Sequence, residues 1–522
     1  MNDNDIDYII KNGQYLIFKI NGRYYIFLSQ YSSLIAIDEN KCLKQSGGEY
    51  RLTGDFVAIL NKLSANGLSG PGRTFLSNET LLPAYYAEYR PSVSALNLDV
   101  TARCNLACVY CYAKGGDYST QSGSMNFETV RAALKDALEA RVFRTDKEFR
   151  FEFFGGEPLF NTGVIKEALE FEKSGLLSPP THLKRSGGII NRISTNLTLY
   201  NPTILRLLLR GNFIISVSID GPAATQNAQR PYKNGGGSYG DIIKNLTAIK
   251  KAAPKLITVA RMTVYGNPGS FLEELEELVS LNIFDYCSIY CAAVEDGAAS
   301  GLKINEDFKQ TYKSMAARYV SLISQKDNIF KGCLELNRYI RYLIDGSFTA
   351  NHCRAGIGYF TLASDGSVYP CHRLIGKDEF KISGGLKNIA AAGAEWRVNV
   401  DERPACKDCA IRYLCGGGCK QEALISGGGL LAGNPKICDF AGLLFDSAAI
   451  ALDSIIESQK VDPNGNPATS AVPIASDEQL SDLFVLCGRR TIKSPEGRNK
   501  ALLDLFADTK MCNIKIYGGL TK

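Results

Sequence analysis

The chain has 522 residues, 45% hydrophobic and 22% charged, and its 59 basic and 54 acidic side chains leave a net charge of only +5. That is globular material for about three domains, and charge so evenly spread offers no case for a nucleic-acid or membrane partner. No apolar run reaches the roughly 18 residues of a spanning helix, and the acidic start Met1–Asp5 lacks the basic-then-apolar order of an export signal, so a cytoplasmic location is expected.

Residues 1–90 read as a small separate module. Tyr15–Ile20 and Tyr24–Leu28 are aromatic and β-branched runs joined by Asn21-Gly22, a strong hairpin signal. A third strand near Leu34–Ile37 and a helix over Gly54–Ala65 complete it, and Gly67, Gly70, Pro71 and Gly72 then form a linker. Residues 91–328 alternate strands with helices such as Asn126–Ala140 and Gly240–Ala252. The strands fall at Leu96–Thr101, Phe149–Phe154, Gly188–Ser194, Phe213–Ile219, Leu256–Val264 and Tyr286–Tyr290. Six such units in series predict an α/β fold, a parallel sheet curled into a partial (β/α)6 TIM-like barrel, with chemistry on the loops that follow the strands. Residues 329–445 are loop-rich and hold eight cysteines, a composition that needs metal staples. An amphipathic helix runs from beyond Phe440 to about Ser458, and residues 446–522 form a tail with weak helical patterns over Glu478–Cys487 and Asn499–Thr509.

Cysteine is the unusual element. There are sixteen, against three histidines (His182, His352 and His372), and thiols in a reducing compartment point to metal ligation before disulfides. Mixed Cys/His zinc sites have little to draw on, which leaves all-thiolate zinc or iron–sulfur sites. The segment after the first barrel strand sets Cys104, Cys108 and Cys111 at C-x3-C-x2-C spacing. Three thiolates on one loop hold three irons of a cubane and leave the fourth without a protein ligand, the mark of a catalytic site. A zinc loop or three buried thiols is the alternative reading of the spacing alone. Later strands end in polar groups: Gly155-Gly156-Glu157-Pro158, then Ser194-Thr195-Asn196, then Ser218-Ile219-Asp220, with Arg230 beyond and Arg261 within the fifth strand. The two glycines are expected to let a ligand approach the backbone.

Cys104, Cys108 and Cys111, with Tyr110 before the third cysteine and Gly155-Gly156-Glu157-Pro158 downstream, resemble the radical S-adenosylmethionine (SAM) superfamily over residues 96–325. The resemblance implies that SAM chelates the open iron and is cleaved to a 5′-deoxyadenosyl radical, the protein positioning a substrate C–H beside it. It also implies that Gly155, Gly156, Glu157 and Pro158 contact the methionine amino group. Thr195, Asn196, Ser218 and Arg230 would take the carboxylate and ribose, and Tyr110 would lie near the adenine. Many relatives carry His-Asp shortly after Asp-Gly-Pro, where this chain has Gln226-Asn227.

A second array runs Cys353, Cys371, Cys406, Cys409, Cys415, Cys419 and Cys438, set among Gly366 and Gly416-Gly417-Gly418. A structural zinc pair fits the spacing. The array also resembles the SPASM extension of radical SAM peptide-modifying enzymes. By that resemblance Cys406, Cys409, Cys415 and Cys438 hold one auxiliary 4Fe-4S cluster, and Cys353, Cys371 and Cys419 hold another whose fourth ligand is Cys333 or an open site. Its wording looks closest to maturases that join a cysteine thiolate to carbon in ribosomal peptides, of the SCIFF-type/ranthipeptide or sactipeptide class, and to quinohemoprotein-subunit maturases.

Cys287 and Cys291 at i, i+4 read as small buried hydrophobes; Cys42, Cys487 and Cys512 read as isolated thiols. His352 and His372 adjoin cluster cysteines, with packing as good a reading as a functional one. No residue stands out as the base. The expected protein is a radical SAM/SPASM maturase with three 4Fe-4S clusters, one SAM-binding and two auxiliary. It takes a ribosomal precursor peptide whose leader adds to the 1–90 module, an RRE-like unit, and whose core contains cysteine. A flavodoxin- or ferredoxin-type protein supplies electrons, and the product is a Cys-to-carbon thioether. Carbon–carbon or ether cyclisation, sulfatase-maturase-like oxidation, and a non-catalytic iron–sulfur electron carrier are the alternatives.

Overall fold

The structure, a computed structural model, describes residues 6–29, 32–63, 92–116, 118, 123–143, 149–174, 190–265, 271–291, 306–323, 328–345 and 348–458. The N-terminal module opens with an antiparallel sheet of β1 (Asp7–Lys11), β2 (Tyr15–Ile20), β3 (Arg23–Leu28) and β4 (Ser33–Ile37), paired in that order. Asn21 and Gly22 both take positive φ, +48° and +81°, the two-residue turn whose twist matches its strands. A hairpin of β5 (Leu43–Ser46) and β6 (Glu49–Leu52) and the helix Gly54–Leu63 follow. The strands alternate faces. Ile17, Ile26 and Ile35 pack with Cys42 and Phe56 inside the module, while Phe18, Tyr25 and Phe27 join the main core.

The main sheet has eight strands. Six run parallel in chain order: β7 (Ala95–Asp99), β8 (Arg150–Phe154), β9 (Asn191–Thr195), β10 (Phe213–Ser218), β11 (Thr258–Val264) and β12 (Tyr286–Cys291). These are the six expected from the sequence, within a few residues at each end. Helices between them lay apolar stripes on the outer face. The helix Pro202–Arg210 begins where the Asn201 side chain accepts from the Thr203 and Ile204 amides, with Pro202 in its first turn, and it buries Ile204, Leu207 and Leu208. Outward strand residues such as Phe151, Phe153, Ile215 and Val217 meet these stripes. The resulting fold is the expected partial barrel.

The sheet does not stop there. β13 (Tyr359–Leu362) adds parallel to β7, and β14 (Val368–Tyr369) pairs antiparallel with β13, so cysteine-rich residues continue the barrel sheet. At the opposite edge the helix Leu334–Asp345 lies along β12, where Glu335 accepts from Ser288 Oγ at 2.6 Å and from the Ile289 amide at 3.2 Å. The helix Pro435–Ser458 packs on helices Glu306–Ala317 and Leu334–Asp345. It also takes the N-terminal sheet: Phe445 meets the Phe18 and Phe27 rings, and Asp453 receives Arg23, Asn21 and Tyr25. Among the described residues no helix is long and apolar enough to cross a membrane. The linker at 67–72 and the helical patterns at Glu478–Cys487 and Asn499–Thr509 lie outside the described residues.

Candidate active site

The loop that leaves β7 carries Cys104, Cys108 and Cys111, all half-buried. It is strapped across the barrel mouth by backbone bonds to the segment following the helix Ala223–Gln229. The Ala107 amide donates to Pro231 O at 2.8 Å, Val109 to Gln229 O at 3.0 Å, and Lys233 to Asn105 O at 3.0 Å. Burial first, and then the neighbouring Cys108 and Cys111, push the Cys104 thiol up to about 11, and burial with Cys111 nearby raises Cys108 too. Each would have to shed its proton to bind a metal.

The glycines after β8 make this packing possible. Gly155 has φ +133°, and a Cβ there would sit 2.5 Å from Thr101 O; one on Gly156 would sit 2.4 Å from Arg103 O. The close approach they permit is therefore to the backbone of the cysteine loop itself, a reason the sequence reading did not supply. Glu157 is fully buried. Its Oε1 accepts from Thr195 Oγ1 at 2.6 Å and the Leu159 amide at 3.0 Å, and its Oε2 from the Asn196 amide at 2.7 Å. Burial raises this carboxyl to about 7 against the pull of those donors. Glu157 thus ties the end of β8 to the end of β9, with Pro158 opening the short turn beside it. Asn196 Nδ2 reaches 3.9 Å from Cys104 Sγ and donates to Asn105 Oδ1 at 3.0 Å.

Asp220, just past β10, organises the other side. Arg230 grips it with two bonds of 2.9 Å, the Thr263 amide donates at 2.9 Å, and Tyr110 OH donates to it. The Tyr110 ring packs against Tyr265 at 5.5 Å and beneath the Arg230 guanidinium at 5.2 Å. Ser218 ends β10 half-buried, in register with Arg261 of β11. Gln226 and Asn227, the departure from many relatives, have structural tasks: Gln226 Oε1 accepts from the Asp220 amide and Asn227 Oδ1 from the Tyr239 amide, both at 2.9 Å. The sequence placed Asp220 among the polar strand ends but gave it no role of its own. Its only signal there was its place before Gly221-Pro222 at a strand end.

Seven further cysteines fall into two groups. Cys353 lies near enough to Cys371 and Cys419 to add to the rise that burial gives both thiols, Cys419 reaching about 11. In the other group burial raises Cys406, Cys409 and Cys438, with Cys415 beside each of them adding to the rise, and Cys409 reaches about 11; Cys409 and Cys438 are exposed. Gly416, Gly417 and Gly418, all at positive φ, turn the chain between Cys415 and Cys419. Cys333 keeps other company. Its backbone pairs with that of Cys287 on β12 and its free thiol lies 3.4 Å from Glu335 Oε2, at the opposite edge of the sheet from β13 and β14. Among the described residues no three His, Cys, Asp or Glu side chains gather tightly enough to chelate a single ion. A cubane asks for something else, one thiolate at each separate iron, and the donor chemistry of all three groups suits it.

His372 joins the first two groups. It follows Cys371, lies 4.8 Å from the Phe154 ring and 6.3 Å from the Tyr112 ring (next to Cys111), and shares a 2.8 Å hydrogen bond between its Nδ1 and Tyr359 OH. Burial and the nearby Arg261 and Arg373 hold it neutral, down to about 3. His352 Nδ1 lies 3.1 Å from Cys415 O.

Residues 98–281 match the radical SAM superfamily. An uncharacterised protein of Methanocaldococcus jannaschii is 32% identical over 155 residues, 30% of this chain and 48% of that protein, so the chain spans about half of this relative's length. A serine-type anaerobic sulfatase-maturating enzyme of Klebsiella aerogenes is 23% identical over 340 residues, 63% of this chain and 80% of that enzyme. In fold, the chain is similar to anSMEcpe solved with bound AdoMet and Cp18Cys peptide, with a TM-score of 0.53 and 19% identity over 70% of this chain and 99% of that one.

Proposed function

We propose that this chain, a radical SAM enzyme by the domain at residues 98–281, is a cytoplasmic maturase that cross-links a ribosomal peptide, forming a bond from a cysteine sulfur to carbon. The observation that carries the reading is the joining of Cys104 to Asn196 and, through Glu157, to two strand ends at the mouth of one barrel. Cys104, Cys108 and Cys111 would hold the first 4Fe-4S cluster, and its bound SAM would supply a carbon radical able to take hydrogen from an unactivated position. Cys406, Cys409, Cys415 and Cys438 would hold an outer auxiliary cluster. Cys353, Cys371 and Cys419 would hold an inner one, with an open position because the Cys333 thiol lies against Glu335 and Tyr312 beside β12. Tyr110, Gly155, Gly156, Pro158, Thr195, Ser218 and Arg230 are read as the cosubstrate's surroundings. Thr195 acts through Glu157, since its hydroxyl is spent on that carboxylate.

The domains are read as 1–90, 91–328, 329–445 and 446–522, with leader recognition by the first and a flavodoxin- or ferredoxin-type donor reaching the exposed Cys409 and Cys438. Cys104→Ala should abolish release of 5′-deoxyadenosine under dithionite while the auxiliary clusters stay loaded. A variant that still cleaves SAM would remove the assignment. Oxidation of a peptide residue to an aldehyde, the second reading, is favoured by the similarity to sulfatase-maturating enzymes. Product capture with a hydrazide separates the two, because a thioether offers no carbonyl.

A further inference from the structure

Inside the barrel the inward-facing side chains are aromatic or polar, and Asp99, the acid at the end of β7 in register with Phe154, accepts from Tyr118 OH and, among the described residues, from no cation. Deep in the chamber Glu152 accepts from Arg150 Nε at 3.0 Å and stands in register with Arg192. Asp220 is occupied by Arg230. Arg261 projects from β11 at a level flanked in register by Ser218 and Ser288. Its guanidinium lies 5.9 Å from the Phe154 ring and 5.1 Å from the Tyr290 ring, and one of its nitrogens donates to Ser194 Oγ at 3.3 Å. Among the described residues no carboxylate forms an ion pair with it.

The chemistry follows from this placement. Aromatic rings attract the cation without using its N–H groups, which lie in the guanidinium plane and suit a carboxylate in bidentate fashion. A sulfonium cosubstrate at the neighbouring cysteine loop would add a second cation to the chamber. Two such charges are favourable together only when an anion joins them. Serines at 194, 216, 218 and 288 keep the surrounding wall short.

We propose that Arg261, set against Phe154 and Tyr290 inside the barrel, binds a carboxylate of the peptide and so selects an acidic residue at or beside the modified position. This rests on the reading of the barrel mouth as a SAM site. The methionine carboxylate of SAM is the other source of the same chemistry, and the experiment separates the two. Reconstituted enzyme is dialysed at equilibrium against SAM and a pool of acetylated, amidated Gly/Ser/Cys hexapeptides carrying one Asp, or the same pool with Asn instead.

Wild type should retain the Asp pool at least fivefold over the Asn pool. Arg261→Gln should bring the ratio near one, Arg261→Lys should keep part of the preference, and retention of SAM should move less than twofold in both. Equal retention of the pools by wild type, or an unchanged ratio in Arg261→Gln, overturns the proposal. Loss of SAM in place of the Asp preference assigns Arg261 to the cosubstrate and overturns it too. A wild type that takes up no SAM overturns the reading of the mouth itself.

Discussion

At the end of β7, Asp99 is buried with one carboxyl oxygen lacking any hydrogen-bond partner and the other 3.5 Å from Tyr118 OH. Burial raises its carboxyl from 3.8 to about 8. The native state therefore keeps a proton that the unfolded chain gives up at lower pH, and the associated stability is lost as pH climbs from about 4 through about 8. Asp99→Asn should shrink the drop in thermal midpoint between pH 5 and pH 8; an unchanged drop would show that other groups dominate. The cysteine spacing and Gly155–Pro158 were legible in the sequence because they are local. Their partners were not. Nothing in the order of residues says that Glu157 spends its oxygens on Thr195, Asn196 and Leu159, or that Cys333 lies beside Cys287.

Among the elements, the helix Pro435–Ser458 ties the N-terminal module to the rest. The fully buried Phe445 ring sits 4.9 Å from Phe27 and 5.8 Å from Phe18, and Asp453, 1% exposed, forms a 2.5 Å ion pair with Arg23. Phe445→Ala should cost about 3–5 kcal/mol and make β1–β4 the first segment cut in limited proteolysis; an unchanged digestion pattern would contradict the packing. Deleting the module would bare this face, so leader recognition is better tested by exposed substitutions on β1 than by truncation. The module also touches the outer cysteine loop: Arg412 donates to Gly13 O at 3.2 Å and to Cys409 O at 3.0 Å. The β2–β3 hairpin was readable from its aromatic and β-branched runs and its Asn-Gly turn. β5 was not, since Leu43–Ser46 has three exposed polar residues in four, and β13 was hidden because its partner β7 lies more than 250 residues earlier.

Taken as a whole, the molecule carries three groups of thiols: one at the barrel mouth, one beside β14 linked to it through His372 and Tyr112, and one at the surface with Cys409 and Cys438 exposed. About twelve irons per chain are expected after anaerobic reconstitution, one cubane for each group. Stoichiometric zinc in place of iron would contradict this. The central claim is that the iron without a protein ligand beside Cys104, Cys108 and Cys111 receives SAM. The direct measurement is the electron paramagnetic resonance spectrum of the dithionite-reduced enzyme before and after SAM is added. A shifted signal, absent in Cys104→Ala, is predicted; identical spectra with and without SAM would contradict the claim.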